Sequence, residues 1–471
     1  MNRYKSMKSI LLASLMLCSL ALLSAWSITD TYFGNKLLTL DARSQAMGGS
    51  GTFNDLRPFG ISTNPANLTL MQKTLGLQGG MHINRNEDNR HVPLYNSFDN
   101  YIDDAVYASN INFFDDYAGA GFGSYRFGAF RLGLGAYYKP LLSFDGIYKE
   151  EIRNNRNTDN DGYPEKIAIN EIRNEGLLNQ MAGVFSLGYQ LDDNLELNLG
   201  ADFSLLNGSV NNLKTIRWSQ WAINTAGQVV LPEFTQEEDY ELEGNQIKAG
   251  LAIRANRRFG FGATYIPKTT LDRTGSIITL RDAYLGQAAI GDTTAISEDY
   301  ILPPQTRIGI NYQPRNIMRT WFNLDVEYVQ YSEISGHFDD VFNFYAGVEH
   351  HVENRLPLRL GFQAVNTYLR NVEADGSIIA KKIITPMITA GSSFELVKGI
   401  QLDLGFGYSW REYEALDLFP DGYYNDKQYT GSSSYILWPN QYIALTNRGW
   451  ENPDKVRENN ISLSASLTFT W

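Results

Sequence analysis

The chain has 471 residues, a formal charge of −12, 13% aromatic residues and a single cysteine. The acidic balance argues against nucleic acid as a partner. The cysteine, Cys18, lies in the N-terminal apolar run, so the mature chain is predicted to have no disulfide and no cysteine metal site.

Residues 1–27 are predicted to be a secretory signal peptide. The apolar stretch Ile10–Leu23 is shorter than the about 20 residues that a membrane-spanning helix needs, which argues against a retained anchor. Small residues at Ala25 and Ser27 offer a cleavage site. The basic start is formed by Arg3, Lys5 and Lys8. The mature protein is therefore predicted to be exported.

Residues 28–73 do not alternate as a strand would, and they contain two distinctive motifs. The first is Asp41-Ala42-Arg43-Ser44-Gln45-Ala46-Met47-Gly48-Gly49-Ser50-Gly51, and the second is Asn64-Pro65-Ala66. Proline fixes φ and asparagine can hydrogen-bond its own backbone, so the tripeptide can hold a tight turn. An ordinary turn leading into the first strand would explain the same residues.

Oxygen-bearing side chains between Asn157 and Glu165 are spaced like the start of a calcium-binding loop. The candidate ligands are Asn157, Asp159, Asp161 and Glu165. Ala168 stands where the calcium loop needs a bidentate glutamate, so a solvated polar turn is the preferred interpretation and no metal is predicted.

Period-two alternation is the main structural signal, because it places successive side chains on opposite faces of a strand. Leu197, Leu199 and Ala201 alternate with Asn198 and Gly200. Similar alternation occurs in the segment after residue 400 and in the last segment, which runs to Trp471. No apolar run after the signal is long enough for a membrane-spanning helix.

The alternating segments match the about 9 to 11 residues that a tilted strand needs to cross a bilayer. We therefore predict an all-β fold: a transmembrane antiparallel β-barrel of about 14 strands over residues 74–471, preceded by a segment at 28–73. Besides those near 195, 400 and 459, strands are predicted to begin near Thr74, Ala118, Phe130, Leu177, Gln246, Arg258, Arg307, Trp321, Phe342, Leu356 and Met387.

Short polar connections suit the periplasmic ends of the barrel, and long ones suit its extracellular end. The short turns are Asp192-Asp193-Asn194, Asn256-Arg257 and Val397-Lys398-Gly399, and the long connections lie near 140–176, 211–245, 268–305, 368–386 and 411–458. The aromatic residues Tyr435, Trp438 and Tyr442 of the last loop are candidates for contact with an apolar ligand. An interfacial aromatic girdle explains them at least as well.

The Ala-Arg, Met-Gly-Gly and Asn-Pro-Ala motifs, placed just before the first strand, resemble the FadL family of outer-membrane transporters for long-chain fatty acids and aromatic hydrocarbons (the OMPP1/FadL/TodX type). Gly262–Pro267, Leu302–Gly309 and Asp325–Tyr328 extend the resemblance over most of the mature chain. Similar N-terminal motifs occur in PorV-like barrels of the type IX secretion system. Those barrels take part in protein export.

The resemblance implies that residues 28–73 fold into the barrel as a hatch, with Asn64, Pro65 and Ala66 helping to block the lumen. It implies passive uptake of hydrophobic small molecules across the outer membrane, with sideways release through the wall. Outer-membrane lipid and the barrel-assembly machinery, which reads a C-terminal aromatic residue, would be its other partners. A monomer suffices.

An enzyme is the third possibility. The five histidines form no recognisable metal motif, and neither a Gly-x-Ser-x-Gly nor a His-Glu-x-x-His sequence is present. We therefore predict that the protein is not an enzyme and uses no cofactor.

Overall fold

The structure of the protein is a computed structural model. It describes residues 28, 33–36, 41–53, 56–71, 73–95, 100–153, 166–192, 194–226, 231–256, 258–283, 288–315, 319–353, 356–372, 377–415, 418–419 and 454–471. The predicted signal peptide, the calcium-loop candidates Asn157, Asp159, Asp161 and Glu165, and the loop aromatics Tyr435, Trp438 and Tyr442 lie outside these residues.

The alternating segments form strands whose polar face is buried and whose apolar face is exposed. In the strand that contains Leu199 and Phe203, these two side chains are 51% and 53% exposed, whereas Asp202 is 3% exposed. In the last strand Leu463 is exposed and Ser464 is buried. This arrangement is the reverse of that in a soluble domain, and it provides the outer surface that a lipid bilayer requires.

Fourteen strands pair antiparallel into a closed barrel, which confirms the predicted class and strand number. They are β1 (Leu75–Tyr95), β2 (Tyr101–Phe127), β3 (Phe130–Ser143, continued by Gly146–Arg153), β4 (Lys166–Gln190), β5 (Glu196–Trp218), β6 (Phe234–Arg254), β7 (Phe259–Ile266, continued by Thr269–Arg281), β8 (Ile290–Ile296, Tyr300–Leu302 and Gln305–Tyr312), β9 (Thr320–Val329), β10 (Val341–Val352), β11 (Leu356–Val372), β12 (Ile378–Val397), β13 (Ile400–Ala415) and β14 (Asp454–Thr470).

The barrel closes where β14 pairs with β1, in a register that runs from Lys455↔His91 to Thr470↔Gly76. Closure gives every strand two neighbours, so no strand is left as the edge strand of an open sheet. Two strands are broken at prolines: β7 at Pro267 and β8 at Pro303-Pro304. Proline has no amide hydrogen to donate to a sheet, which explains the breaks.

Several strands are longer than the alternating pattern predicts. The strand predicted near Ala118 begins at Tyr101, and that predicted near Gln246 begins at Phe234. Much of the segments predicted as long loops, 140–176 and 211–245 among them, is therefore strand. Above the apolar belt both faces of a strand can be polar, as at Arg85–Arg90, so alternation no longer marks the strand there.

Short turns join the strands at the opposite end. Gly399 has φ +83° in the turn between β12 and β13, and Gly128 has φ +60° in the turn between β2 and β3. Both values lie in the left-handed region that glycine adopts most easily. In the turn before β5, Asp192 accepts hydrogen bonds from the backbone amides of Asn194 and Leu195.

The segment before the barrel forms short helices: α1 (Ala42–Ala46), α2 (Gly60–Thr63) and α3 (Asn67–Leu70). A two-residue strand, Asn35–Lys36, pairs with the end of β3. A further helix, α4 (Gln220–Ala226), follows β5. No helix in the described part of the chain has the length and apolar character needed to cross a bilayer.

Candidate functional site: the barrel interior and the segment within it

The α1 helix is held by a side-chain cap and by glycines. Asp41 caps the helix by accepting a hydrogen bond from the Ser44 amide at 2.8 Å. The helix is followed by Gly48 and Gly49, with φ +63° and +73°, values that suit glycine far better than other residues. The Met-Gly-Gly motif therefore stops the helix and turns the chain across the barrel.

The same helix is fixed to the inner face of β14. The Ala42 amide donates to Ser466 Oγ at 2.7 Å, and the Gln45 side-chain amide donates to Ser462 Oγ at 2.5 Å. The Gln45 side-chain carbonyl accepts a hydrogen bond from Ser464. The hydroxyl residues that alternate along the last strand are thus the binding partners of α1.

Asp325 on β9 holds the chain after the Met-Gly-Gly turn. Its carboxylate accepts hydrogen bonds from the Gly51 amide at 2.9 Å, the Thr52 amide at 3.0 Å and the Thr52 hydroxyl at 2.8 Å. Arg307 on β8 forms an ion pair with Asp325 at 2.8 Å and also donates to the Gly49 carbonyl. This buried carboxylate therefore binds both the barrel wall, through Arg307, and the N-terminal segment, through Gly51 and Thr52.

A chain of alternating charges crosses the interior. Arg57 of the segment pairs with Asp403 at 3.0 Å, and Asp403 also pairs with Arg359 at 3.0 Å. Arg359 contacts Glu349 at 2.5 Å, and Arg43 of α1 pairs with the same carboxylate at 3.2 Å. Asp403 and Arg359 are fully or almost fully buried, so removing one partner would leave an uncompensated charge.

Asn64-Pro65-Ala66 lies against β5 and β6. The Asn64 side-chain amide donates to the Thr52 carbonyl at 2.7 Å and to the Leu251 carbonyl of the wall at 3.0 Å. Its side-chain oxygen accepts from the Ala66 amide at 3.0 Å, which is the local turn expected of such a motif. Asn64 and Ala66 are fully buried.

Inward-facing glycines make room for the segment. A Cβ added at Gly200 or Gly250 would collide with Asn64-Pro65-Ala66, and one at Gly361 would collide with Met47 and Gly48. Other inward glycines whose Cβ would meet the segment include Gly133, Gly188, Gly260, Gly262, Gly309, Gly347, Gly391 and Gly405. We call this set, with Gly200, Gly250 and Gly361, the glycine belt.

An apolar contact joins α2 and α3 to the wall at β2, β3 and β4. Ile61 and Leu68, both fully buried, pack with Phe122, Tyr137 and Val184. Buried side chains contributed by β3 to β8 form a second apolar group, the inner apolar cluster: Leu142, Phe144, Leu178, Leu206, Val210, Tyr240, Leu242, Leu271, Ile296 and Leu302.

The wall between β2 and β3 is interrupted beside this cluster. Backbone pairing of the two strands ends at Gly119↔Tyr138, and β3 undergoes a register shift relative to β4 between Pro140 and Leu142. Contact resumes only through side chains, where Asn112 donates to the Ile147 carbonyl at 3.0 Å and Asn110 to the Lys149 carbonyl at 3.2 Å. The interrupted stretch, residues 113–118 and 139–145, is called the wall gap below.

A group of buried charged residues lies at the outer end of the barrel, beyond the exposed Trp410. Arg411 pairs with Glu458 at 2.6 Å, and Tyr413 donates to the same carboxylate at 2.6 Å. Burial raises the pKa of the neighbouring Asp88 carboxyl to about 6, although Arg90 acts against this shift. These contacts join the outer ends of β13 and β14.

The sequence pointed to the inward acids but not to their partners. The barrel pattern predicts that Glu196, Asp202, Asp325, Glu327 and Asp403 face inward; Glu196 is half-buried and the other four are buried. The partners that belong to the wall, Lys248, Arg307 and Arg359, fall on inward positions of the same alternation, as Arg359 does between Leu358 and Leu360. Their inward position in the period-two alternation is the sequence signal that could have identified these cations.

No protein-family model matches the sequence, and no curated protein matches it significantly. Solved structures do share its fold. The P. putida toluene transporter TodX has a TM-score of 0.59 and 13% identity, with 91% of this chain and 97% of that chain covered. A Pseudomonas aeruginosa FadL homologue has a TM-score of 0.57 and 12% identity, with 93% and 99% covered.

The Ralstonia pickettii toluene transporter TbuX is also similar, with a TM-score of 0.52, 16% identity and 92% and 99% of the two chains covered. The protein is thus a closed 14-stranded antiparallel β-barrel. Within that class it has the FadL-like fold of these solved structures along almost its full length.

Proposed function

We propose that this protein is an outer-membrane channel for passive uptake of hydrophobic compounds, such as long-chain fatty acids or aromatic hydrocarbons. The observation that carries the proposal is the wall gap beside an interior that is crossed by the N-terminal segment. Proteins described as toluene transporters and as a FadL homologue share the fold, which adds support.

The N-terminal segment favours a sideways route over a straight one. It makes hydrogen bonds to strands on all sides of the barrel, from β4, where Thr69 contacts Ser186 at 2.9 Å, to β14, where Ala42 contacts Ser466 at 2.7 Å. We propose that residues 28–73 act as a hatch and that Asn64, Pro65 and Ala66 hold its central turn. Residues 74–471 would then form the barrel with its extracellular loops.

Apolar side chains are present on both sides of the proposed route. The inner apolar cluster lies next to the wall gap through Leu142 and Phe144, and Ile61 and Leu68 pack against the wall below it. An apolar compound gains about 25 cal/mol for each Å² of its surface removed from water, so such a lining can attract it without an energy source. On the outer side of the barrel, the wall gap would open directly into the lipid bilayer.

The same features support an outer-membrane location. The exposed apolar belt suits lipid, residues 1–27 suit export, and the terminal Trp471 suits delivery by the barrel-assembly machinery. We propose a monomer, because the barrel closes on itself through β14 and β1.

The test is uptake of a radiolabelled long-chain fatty acid and of radiolabelled toluene by cells that lack their own transporter. Ala118 faces inward at the edge of the wall gap, and Ala118→Trp would fill it. Uptake is expected to fall by tenfold or more relative to the unchanged protein, because the gap is the proposed exit. The matched control is Ala201→Trp, which adds the same side chain on the exposed outer face.

Heat-modifiability on gels would verify that both variants assemble. Equal uptake by the two variants would contradict release through the wall. A folded wild-type barrel that takes up neither compound would overturn the proposal, and would favour the PorV-like role in protein secretion instead.

A further inference from the structure

Ile28 is the residue that would begin the mature chain, because the predicted signal peptide ends at Ser27, with small residues at Ala25 and Ser27. Its side chain is 5% exposed and belongs to a buried apolar group inside the barrel, together with Tyr148 of β3. Hydrolysis of the Ser27–Ile28 peptide bond by a signal peptidase leaves a carboxylate on Ser27 and an α-ammonium on Ile28. A buried charge needs acceptors, so the surroundings of this nitrogen are decisive.

The Ile28 nitrogen lies against Gly146, where the second part of β3 begins. A Cβ built on Gly146 would be 3.7 Å from this nitrogen and 3.4 Å from the Ile28 Cα atom. Gly146 is the register partner of Asn174 on β4. Directly opposed residues share a face of the sheet, with Cβ atoms about 4.5–5.5 Å apart, so the Ile28 nitrogen lies within reach of the Asn174 side chain.

Two buried side-chain oxygens beside this point accept no hydrogen bond. Asn174 is 3% exposed, and it is paired in register with Asn212 of β5. Within the described part of the chain, neither side-chain oxygen has a hydrogen-bond partner. The side-chain amide of Asn212 donates to Glu238 at 3.2 Å, which turns the oxygen away from that carboxylate. Buried amide oxygens normally accept a hydrogen bond, so these two mark a place for a donor.

The cations nearest to these oxygens are bound to other groups. Lys214 donates to the Leu418 carbonyl at 2.6 Å, and Arg273 pairs with Glu238. The two asparagines line a pocket of about 230 Å³ together with Lys214 and Glu238. This pocket gives a terminal ammonium room to turn toward the two oxygens.

We propose that the α-ammonium formed at Ile28 by removal of the signal peptide is bound by the side-chain oxygens of Asn174 and Asn212. An ammonium carries only donors, and its hydrogen bonds are charge-assisted, so it matches a pair of unpartnered oxygens. The contact fixes the beginning of the N-terminal segment to β4 and β5, and it can form only after cleavage. This inference goes beyond the proposed function, because it concerns how the segment is seated and holds for any transported compound.

The experiment treats the mature protein, purified from outer membranes in a non-ionic detergent, with a reagent selective for α-amines, and mass spectrometry of the N-terminal peptide follows the labelling. The wild type is expected to react at least about tenfold more slowly than a double variant with Asn174→Leu and Asn212→Leu, in which no acceptor holds the amine. Asn174→Asp should react as slowly as the wild type, because a carboxylate also accepts. The matched control is Asn207→Leu, on the exposed outer face of β5, which should also react like the wild type.

The same peptide tests the premise, since a mature chain that begins at a residue other than Ile28 would overturn the inference. Equal labelling of the wild type and the double variant would also overturn it, because burial alone would then explain the protection. If the double variant lacks heat-modifiability on gels, the two single leucine variants replace it, each with a severalfold increase expected. Toluene uptake by a wild-type protein whose amine reacts freely would leave the channel in place and remove only the anchor.

Discussion

At the scale of single residues, the interior is organised by a few buried carboxylates that each serve several donors. Asp325 is the clearest, since it binds the Gly51 and Thr52 amides, the Thr52 hydroxyl and Arg307 together. A carboxylate is required because neutral acceptors would leave Arg307 uncompensated inside the barrel. Alternation predicts that Asp325 faces inward, but the Gly51 and Thr52 donors lie more than 270 positions away in the sequence.

Asp325→Asn should therefore loosen the N-terminal segment while leaving the barrel closed. Losing one partner of a buried ion pair costs on the order of 3–5 kcal/mol, here borne by the contact between segment and wall. We expect an increase in ion conductance in planar bilayers of at least severalfold. Asp272→Asn, at an exposed position on β7, is the control, and conductance equal to the control would refute this role of Asp325.

At the scale of elements, glycines in the strands determine where the segment can lie. The glycine belt occupies inward positions of β3 to β13, and at each a methyl group would meet the segment. The alternation predicts that Gly200 and Gly405 face inward, between polar side chains. It does not predict their purpose, because the atoms that they accommodate belong to residues 42–66, far away in sequence.

Gly361→Val should displace α1 and its following turn, because Cβ would overlap the Gly48 amide nitrogen. The expected result is faster protease cleavage within residues 41–53 and a raised basal conductance. Gly183→Val is the matched control, since a Cβ there meets nothing within 4 Å and points outward. Unchanged cleavage and conductance in Gly361→Val would show that the belt does not fix the segment.

At the scale of the whole molecule, the barrel and its segment are separable in principle. Backbone hydrogen bonds close the wall from β1 to β14, apart from the wall gap, and the described segment contributes only Asn35–Lys36 to the sheet. The segment is otherwise held by side chains and by single backbone groups. Removing the segment should leave the sheet intact, and water would replace the contacts that the segment makes with the inner wall.

A chain lacking residues 28–71 but keeping its signal is expected to assemble and to form a water-filled pore. Swelling of liposomes in arabinose solution would measure it, with an expected rate many times that of the complete protein. Assembled barrels that remain closed to arabinose would show that other parts of the chain block the lumen, against the hatch proposal.

The sequence by itself determined the barrel, because lipid on one side and polar groups on the other impose a period of two on every membrane-crossing strand. Leu463 and Ser464 carry that information locally, so the strand class and number were predictable. The longer strand ends were not, since outside the apolar belt both faces of a strand can be polar.

Only the tertiary structure decided what the interior does. The pairing of Asp403 with Arg57 and Arg359 and the fit of Gly361 to Gly48 join residues distant in sequence. The alternation within each strand indicates which of its residues face inward. Which of them meet depends on the curvature and register of the closed barrel, and those arise only when all the strands are paired.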